Sequence, residues 1–195
     1  ILKKKLADDE VTFSGYEAKG RTGIDGLGLN QFSRRYIYHL LARLTEATEV
    51  GAGRTETFDK LVDRSLKNPF DIEHIWADDY DVLKEQFSTE QEFQDWRNHV
   101  ASLLLLPADV NRSLQDKPFP QKRMHYAKQN FYAASLDASA YEHQPQFQQF
   151  ATQNQLPFKA AEVFDKTQQQ TRRELVVGLV ELIWSPDRLS EAAYA

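Results

Sequence analysis

The chain contains no cysteine. That excludes disulfides and thiolate metal sites and leaves any metal to His, Asp, Glu or Asn. Such donors favour a hard ion such as magnesium or manganese over structural zinc. Long apolar runs are also missing. The stretch Leu103-Leu104-Leu105-Leu106, extended only by Pro107, falls far short of the roughly 18 residues that span a bilayer. Positive charge is in deficit, with 24 Lys and Arg against 29 Asp and Glu and a net charge of −5. A protein that coats nucleic acid is usually basic, so a passive binder is disfavoured. An enzyme that gathers a few cations at one cleft is not. No signal-like segment opens at Ile1, and the single Met is Met124. The chain therefore reads as a piece of a longer protein and, lacking cysteine, as cytoplasmic in origin.

What is present is ordinary for a folded domain: 41% hydrophobic and 27% charged residues over 195 positions. Lys3-Lys4-Lys5, Asp8-Asp9-Glu10 and a short strand at residues 11–13 precede a turn-rich segment with Gly20, Gly23, Gly26 and Gly28. Asn30 is suited to cap a helix carrying Ile37, Leu40, Leu41 and Leu44 on one face. A second helix is expected from Thr57 to about Leu66, closed by Asn68-Pro69. Residues 70–76 alternate as a strand does. Residues 87–100 read as a helix capped at Ser88, and 103–106 as a buried strand. Asp109 to Ser113 reads as a turn or helix start, 117–120 as a loop, and 122–130 as helix. A Gln-rich linker follows, then a long helix from Phe158 to Trp184 ended by Ser185-Pro186. The expected fold is mainly α (α+β): a helical scaffold around one small island of two strands and a helix.

The candidate chemistry falls on that island. Asp71-Ile72-Glu73-His74-Ile75 places two carboxylates and an imidazole within four residues at a strand end. Phosphodiester hydrolysis needs a cation to polarise the phosphate and a base to take a proton from water, and His suits the base at neutral pH. Asn111 can add a side-chain oxygen from elsewhere in the chain. A Glu-His pair alone is as readily a solvated pair at a strand end, so the surrounding pattern decides.

That pattern runs Asp-Ile-Glu-His-Ile-Trp, then Arg97-Asn98, Leu103 to Pro107, Asn111, Pro118-Phe119 and Lys122, with Tyr126, Asn130, Ala134-Ser135-Leu136, Pro157-Phe158 and Ile183-Trp184 downstream. In this order it resembles the HNH-type family at the C-terminal end of GmrSD-like proteins (domain of unknown function 1524), over roughly residues 28–185. The resemblance implies a ββα-metal fold within a single nuclease domain over 1–195: helical scaffold at 28–68, core at 69–130, helical scaffold at 131–190. It implies His74 as general base and Glu73 and Asn111 as ligands of a divalent metal, Mg2+ or Mn2+. Lys122, Arg97 and Arg112 are implied as DNA contacts, each with a bland alternative as a solvated or paired surface charge. The family usually carries Gly-Asn where this chain reads Ala101-Ser102, and that Asn helps hold the base His. Ser102 is expected to take part of that task by bonding a carbonyl near His74. The implied partners are DNA and an N-terminal ParB-like nucleotide-hydrolysing domain, and the implied role is restriction of foreign or modified DNA. The alternative is a helical nucleic-acid-binding or interaction module whose nuclease site has decayed. Trp76, Trp96 and Trp184 are expected as core anchors, with base stacking as the second reading for Trp76.

Overall fold

The computed structural model describes residues 23–55 and 57–184. The expected strand at 11–13, the charged clusters before it and the Ser185-Pro186 terminator lie outside them. Asn30 caps the turn that leads into the first helix rather than the helix itself: its Oδ1 accepts from the N–H groups of Phe32 and Ser33, while α1 runs Arg34–Gly51 with Ser33 at its N-cap. Its apolar positions Ile37, Leu40, Leu41 and Leu44 are all buried. Helix α2 is only Phe58–Val62. It stops early because Asp63 Oδ1 accepts from both the backbone N–H and the hydroxyl of Ser65, a local turn that competes with helix.

Strand β1 (Phe70–His74) follows, then α3 (Tyr80–Leu83) and α4 (Glu90–Asn98). The cap of α4 is Thr89 rather than Ser88; Thr89 Oγ1 accepts from Glu92 N while Glu92 Oε2 accepts from Ser88 N. Strand β2 (Leu103–Pro107) pairs antiparallel with β1, with Glu73 opposite Leu104 and His74 opposite Leu103. Its four leucines are all fully buried, so it is covered on both faces and shows no alternation. Helix α5 (Ala108–Leu114) follows directly and packs on both strands.

The expected loop at 117–120 is cut short, because Pro120 sits in the first turn of α6 (Phe119–Tyr126), where its missing N–H costs nothing. After α7 (Phe131–Ala134), the Gln-rich stretch is largely helix α8 (Pro145–Gln153) rather than linker. Phe147 anchors it among Phe131, Tyr141 and Phe158. The last helix, α9 (Lys166–Ile183), starts eight residues later than the pattern suggests, where Asp165 accepts from Gln168 N. One hydrophobic core takes residues from Ile37 on α1 through both strands to Val180 on α9. The N- and C-terminal helical segments thus share one interior. Trp76 is part of it, packed edge-on against Phe87 and Phe164 with its indole N–H on the Phe164 carbonyl. Base stacking is therefore closed to it.

The segment before α1 braces the end of α4. Leu29 N donates to Asn98 O (2.7 Å) and Val100 N to Leu27 O (3.0 Å). Asp25 in the same segment is gripped by Arg173 of α9, with Nε on Oδ1 at 2.8 Å and Nη2 on Oδ2 at 2.9 Å. This two-pronged bond holds the Asp25 carboxyl below its ordinary value against the opposing effect of burial. Its stabilisation is therefore complete above the unfolded carboxyl's 3.8 and is lost as pH falls through the lower folded value. We expect Asp25→Asn to cost about 1 kcal/mol at pH 7, since both partners keep some solvent contact. The gap from the parent protein should close as thermal unfolding is followed down to pH 3. Equal melting temperatures at pH 7 would show that the bridge contributes nothing.

Candidate nuclease site

Ile75 N donates to Ser102 O (2.9 Å), which fixes the phase of the two-stranded ladder. In that phase the carbonyls of Phe70, Ile72 and His74 point away from β2, along a free edge. Each ends on a side chain. Tyr38 O–H (3.2 Å) and the Arg64 guanidinium bond Phe70 O; Asn111 Nδ2 bonds Ile72 O at 2.9 Å; Lys122 Nζ bonds His74 O at 2.8 Å. Helices α5 and α6 are thereby docked on the strand that carries the acidic-His motif.

Glu73 and His74 are the last two residues of β1, and both feel the charges of Lys122 and Arg97. Glu73 is buried, and its Oε1 accepts from Lys122 Nζ and Tyr126 O–H, both at 2.8 Å. Lys122 and Tyr126 are four apart on α6 and so share a face. Burial pushes the Glu73 carboxyl up; Lys122 and Tyr126 pull it down by less. Tyr126, buried beside that carboxylate, is raised well above its usual range and keeps the proton it donates.

His74 is half-buried, and its Nε2 lies 3.0 Å from Asn98 Oδ1. The Asn98 amide can face it only one way. Its Nδ2 donates to Gln94 O at 2.9 Å, an atom that only accepts, so Oδ1 is the atom turned to the ring. His74 Nε2 therefore carries the proton and Nδ1 keeps its lone pair. Burial first, and then the Arg97 charge, pushes the His74 pKa down to about 4, so the ring is neutral at physiological pH. A neutral, half-buried imidazole with a fixed tautomer is competent to accept a proton.

The other expected residues divide. Arg97 is largely buried, its Nε 3.8 Å from Asp78 and without a hydrogen bond. Its charge acts on both Glu73 and His74. Arg112 is exposed on α5. Lys122 corrects the expectation of a phosphate contact: it is 1% exposed, and its ammonium is committed to Glu73 and the His74 carbonyl. Ser102 corrects another. Its buried hydroxyl donates to Trp96 O at 2.8 Å, not to a carbonyl near His74. The residue that holds the ring is Asn98, to which the sequence pattern gives no role. Its sequence signals are its place in the Arg97-Asn98 element of the pattern, to which no task is attached, and the i, i+4 spacing from Gln94 on a helix that ends three residues before the expected Gly-Asn position.

Among the described residues no group of three or more His, Asp or Glu side chains stands ready for a metal ion. A hard ion such as magnesium keeps most of its waters and needs few protein donors. Two acceptor atoms near the motif are uncommitted. Lys122 and Tyr126 occupy only Oε1 of Glu73, and Asn111 uses its amide nitrogen on Ile72 O. Neither Glu73 Oε2 nor Asn111 Oδ1 accepts from any described donor.

An antiparallel strand pair followed by a helix, with a neutral His next to a buried carboxylate on its first strand, points to a nuclease-type domain. The chain belongs to the family of C-terminal domains of GmrSD restriction endonucleases, whose model matches residues 26–175. Neither the curated proteins nor the solved structures contain a match to it. Membership gives a nuclease role in restriction, with DNA as the substrate class. No helix among the described residues is long and apolar enough to cross a membrane.

The buried pair yields a stability test. Lys122→Met leaves the Glu73 charge buried without its cation, and we expect a loss of about 3–5 kcal/mol in urea unfolding. Glu73→Gln/Lys122→Met together should recover part of it, because no lone charge remains. A Lys122→Met protein as stable as the parent would return Lys122 to the role of a surface cation.

Proposed function

We propose that this domain is a divalent-metal-dependent DNA endonuclease in which His74 Nδ1 is the general base. The observation that carries the reading is the Asn98–His74 bond, which leaves Nδ1 unprotonated on a ring that is neutral at pH 7. Water gives a proton to Nδ1 as its oxygen bonds to phosphorus, and the opposite phosphorus–oxygen bond breaks, freeing one strand end. Glu73 Oε2 and Asn111 Oδ1 would hold a magnesium or manganese ion. Bound there, the ion would supply Lewis-acid stabilisation of the phosphate's charge. Lys122 and Tyr126 keep the Glu73 carboxylate pinned through its other oxygen. Arg97, with an unsatisfied Nε and a charge already felt at His74, offers the reacting phosphate a cation.

The departure at Ala101-Ser102 loses its force in this reading, because Asn98 performs the positioning from α4. The biological role proposed is restriction of foreign or modified DNA in the cytoplasm, alongside an N-terminal ParB-like nucleotide-hydrolysing domain.

His74→Ala should cut cleavage by about a hundredfold to ten-thousandfold in magnesium or manganese while leaving the fold and DNA binding intact. Cleavage at the parent rate by the purified variant would sink the mechanism. Asn98→Ala should cost less, about 10- to 100-fold, the range for a partner that orients a working group. Nitrogen-15 NMR of the His74 ring should show one Nε2–H tautomer in the parent and a mixture in the variant. A parent ring protonated on Nδ1 would overturn the assignment of the base atom.

A further inference from the structure

Of the three cations expected to meet DNA, Lys122 is buried and Arg97 largely so, and neither can track a backbone outward from the site; Arg112 alone is exposed, on α5. Exposed cations gather elsewhere, at the start of the same free edge. A cleft of about 500 Å³ is lined by Arg34, Arg35 and Arg64 together with Tyr38, His39 and Asp71. Arg64 is more than half exposed. It is fixed at the base of the cleft by its bonds to Phe70 O and Tyr38 O–H and its 3.5 Å approach to Asp71. Arg34 and Arg35 are exposed on the first turn of α1, and among the described residues neither side chain has a hydrogen-bond or ion-pair partner.

Three guanidinium groups thus face one carboxylate, in a chain whose net charge is −5. The first turn of α1 carries no acid, and its helix dipole adds positive potential there. Such a cluster repels itself unless an anion lies on it. The guanidinium fork matches phosphate oxygens in pairs.

We infer that this cleft binds the phosphodiester backbone of the DNA substrate, a few phosphates from the cleavage point. The inference rests on the nuclease reading of His74. Asp71, at the cleft, is three residues from His74 on β1, about 10 Å along a strand. At about 3.4 Å of helix axis per phosphate on one strand, that is roughly three phosphates. A strand whose scissile phosphate meets His74 therefore brings neighbouring phosphates over the arginines. Backbone bonds of this kind position the duplex and carry no sequence information.

The test is Arg34→Ala/Arg35→Ala in the intact chain, with binding to a fluorescent duplex followed by anisotropy in calcium, and cleavage followed in magnesium. We expect binding to weaken by on the order of tenfold at 0.1 M salt, and the slope of log affinity on log salt to flatten by up to about 1.8, or about 0.9 for each phosphate no longer neutralised. Turnover at saturating DNA should stay near the parent value, with more DNA needed to reach it. Arg34→Lys/Arg35→Lys should recover most of the affinity, because charge is kept. Lys128→Ala/Lys159→Ala, which removes the same charge outside the cleft, should leave the salt slope almost unmoved.

Equal loss in that control would reduce the effect to net charge and overturn the inference. So would an unchanged slope in the Arg34→Ala/Arg35→Ala protein that still cuts, which leaves the nuclease reading standing. A parent that binds the duplex through these arginines but never cuts retains the cleft and removes the nuclease reading. Binding of a nucleoside triphosphate instead of the duplex, lost in the same variant, would assign the cleft to a free nucleotide and overturn the inference.

Discussion

A two-stranded sheet has two edges and no third strand to satisfy them. On β1 the outward carbonyls of Phe70, Ile72 and His74 would cost about 1–3 kcal/mol each if buried without a donor. Tyr38 with Arg64, Asn111 and Lys122 supply those donors from α1, the 63–69 connection, α5 and α6. On the opposite edge Asn130 Nδ2 does the same for Leu105 O at 2.8 Å. Much of the helical scaffold is thus tied to the strand pair by single hydrogen bonds to its backbone. The chemistry inherits this arrangement, because the side chains that satisfy the edge are the ones that surround Glu73 and His74. Moving α5 or α6 would open a carbonyl and displace a site residue in the same act.

Glu73 shows how structure and chemistry share one group. A buried carboxylate needs a cation, and Lys122 provides it through Oε1. The same ammonium reaches the next carbonyl along the strand, so one side chain neutralises the acid and ties down the backbone of the base. A carboxylate bound this way on one oxygen cannot rotate freely, which costs it entropy before any ion arrives and less on binding. In the proposed reading, the second oxygen is what remains for a metal. Rigid donors with few protein ligands suit an ion that retains its own water.

The island of strands and its motif were legible in the sequence because their signals are local. Alternation marked β1, four leucines marked β2, and Asp71-Ile72-Glu73-His74 marked the candidate site. Asn30 announced the turn that leads into α1. What was not legible depended on partners distant in the chain. Lys122 looks like a surface residue because nothing in its neighbourhood tells that its amine ends on Glu73, forty-nine positions earlier. Ser102 looks like the stand-in for a missing Asn, yet its hydroxyl satisfies the Trp96 carbonyl at the end of α4. Asn98 gives no sign of its task, which emerges only when α4 is laid against the end of β1. Helix ends shifted for a local reason that pattern reading underweights: Asp63 and Asp165 bond the backbone two or three residues on, and so stop or start a helix inside an apolar repeat.

Charge follows the same division between what composition tells and what placement tells. A net charge of −5 argues against a basic protein that coats nucleic acid, and composition can say no more. Folding sorts the cations into two sets. Lys122 and Arg97 are drawn inward, where desolvation makes their charge act strongly over a few ångströms on Glu73 and His74. Arg34 and Arg35 are left outside without acids of their own, where the field is screened within about 10 Å at 0.1 M salt. In the proposed reading, the inner set acts on the chemistry at the strand end and the outer set on the approach of a polyanion. An acidic chain can do both because each task is short-ranged, so the sign of the whole molecule matters less than which cations keep a partner.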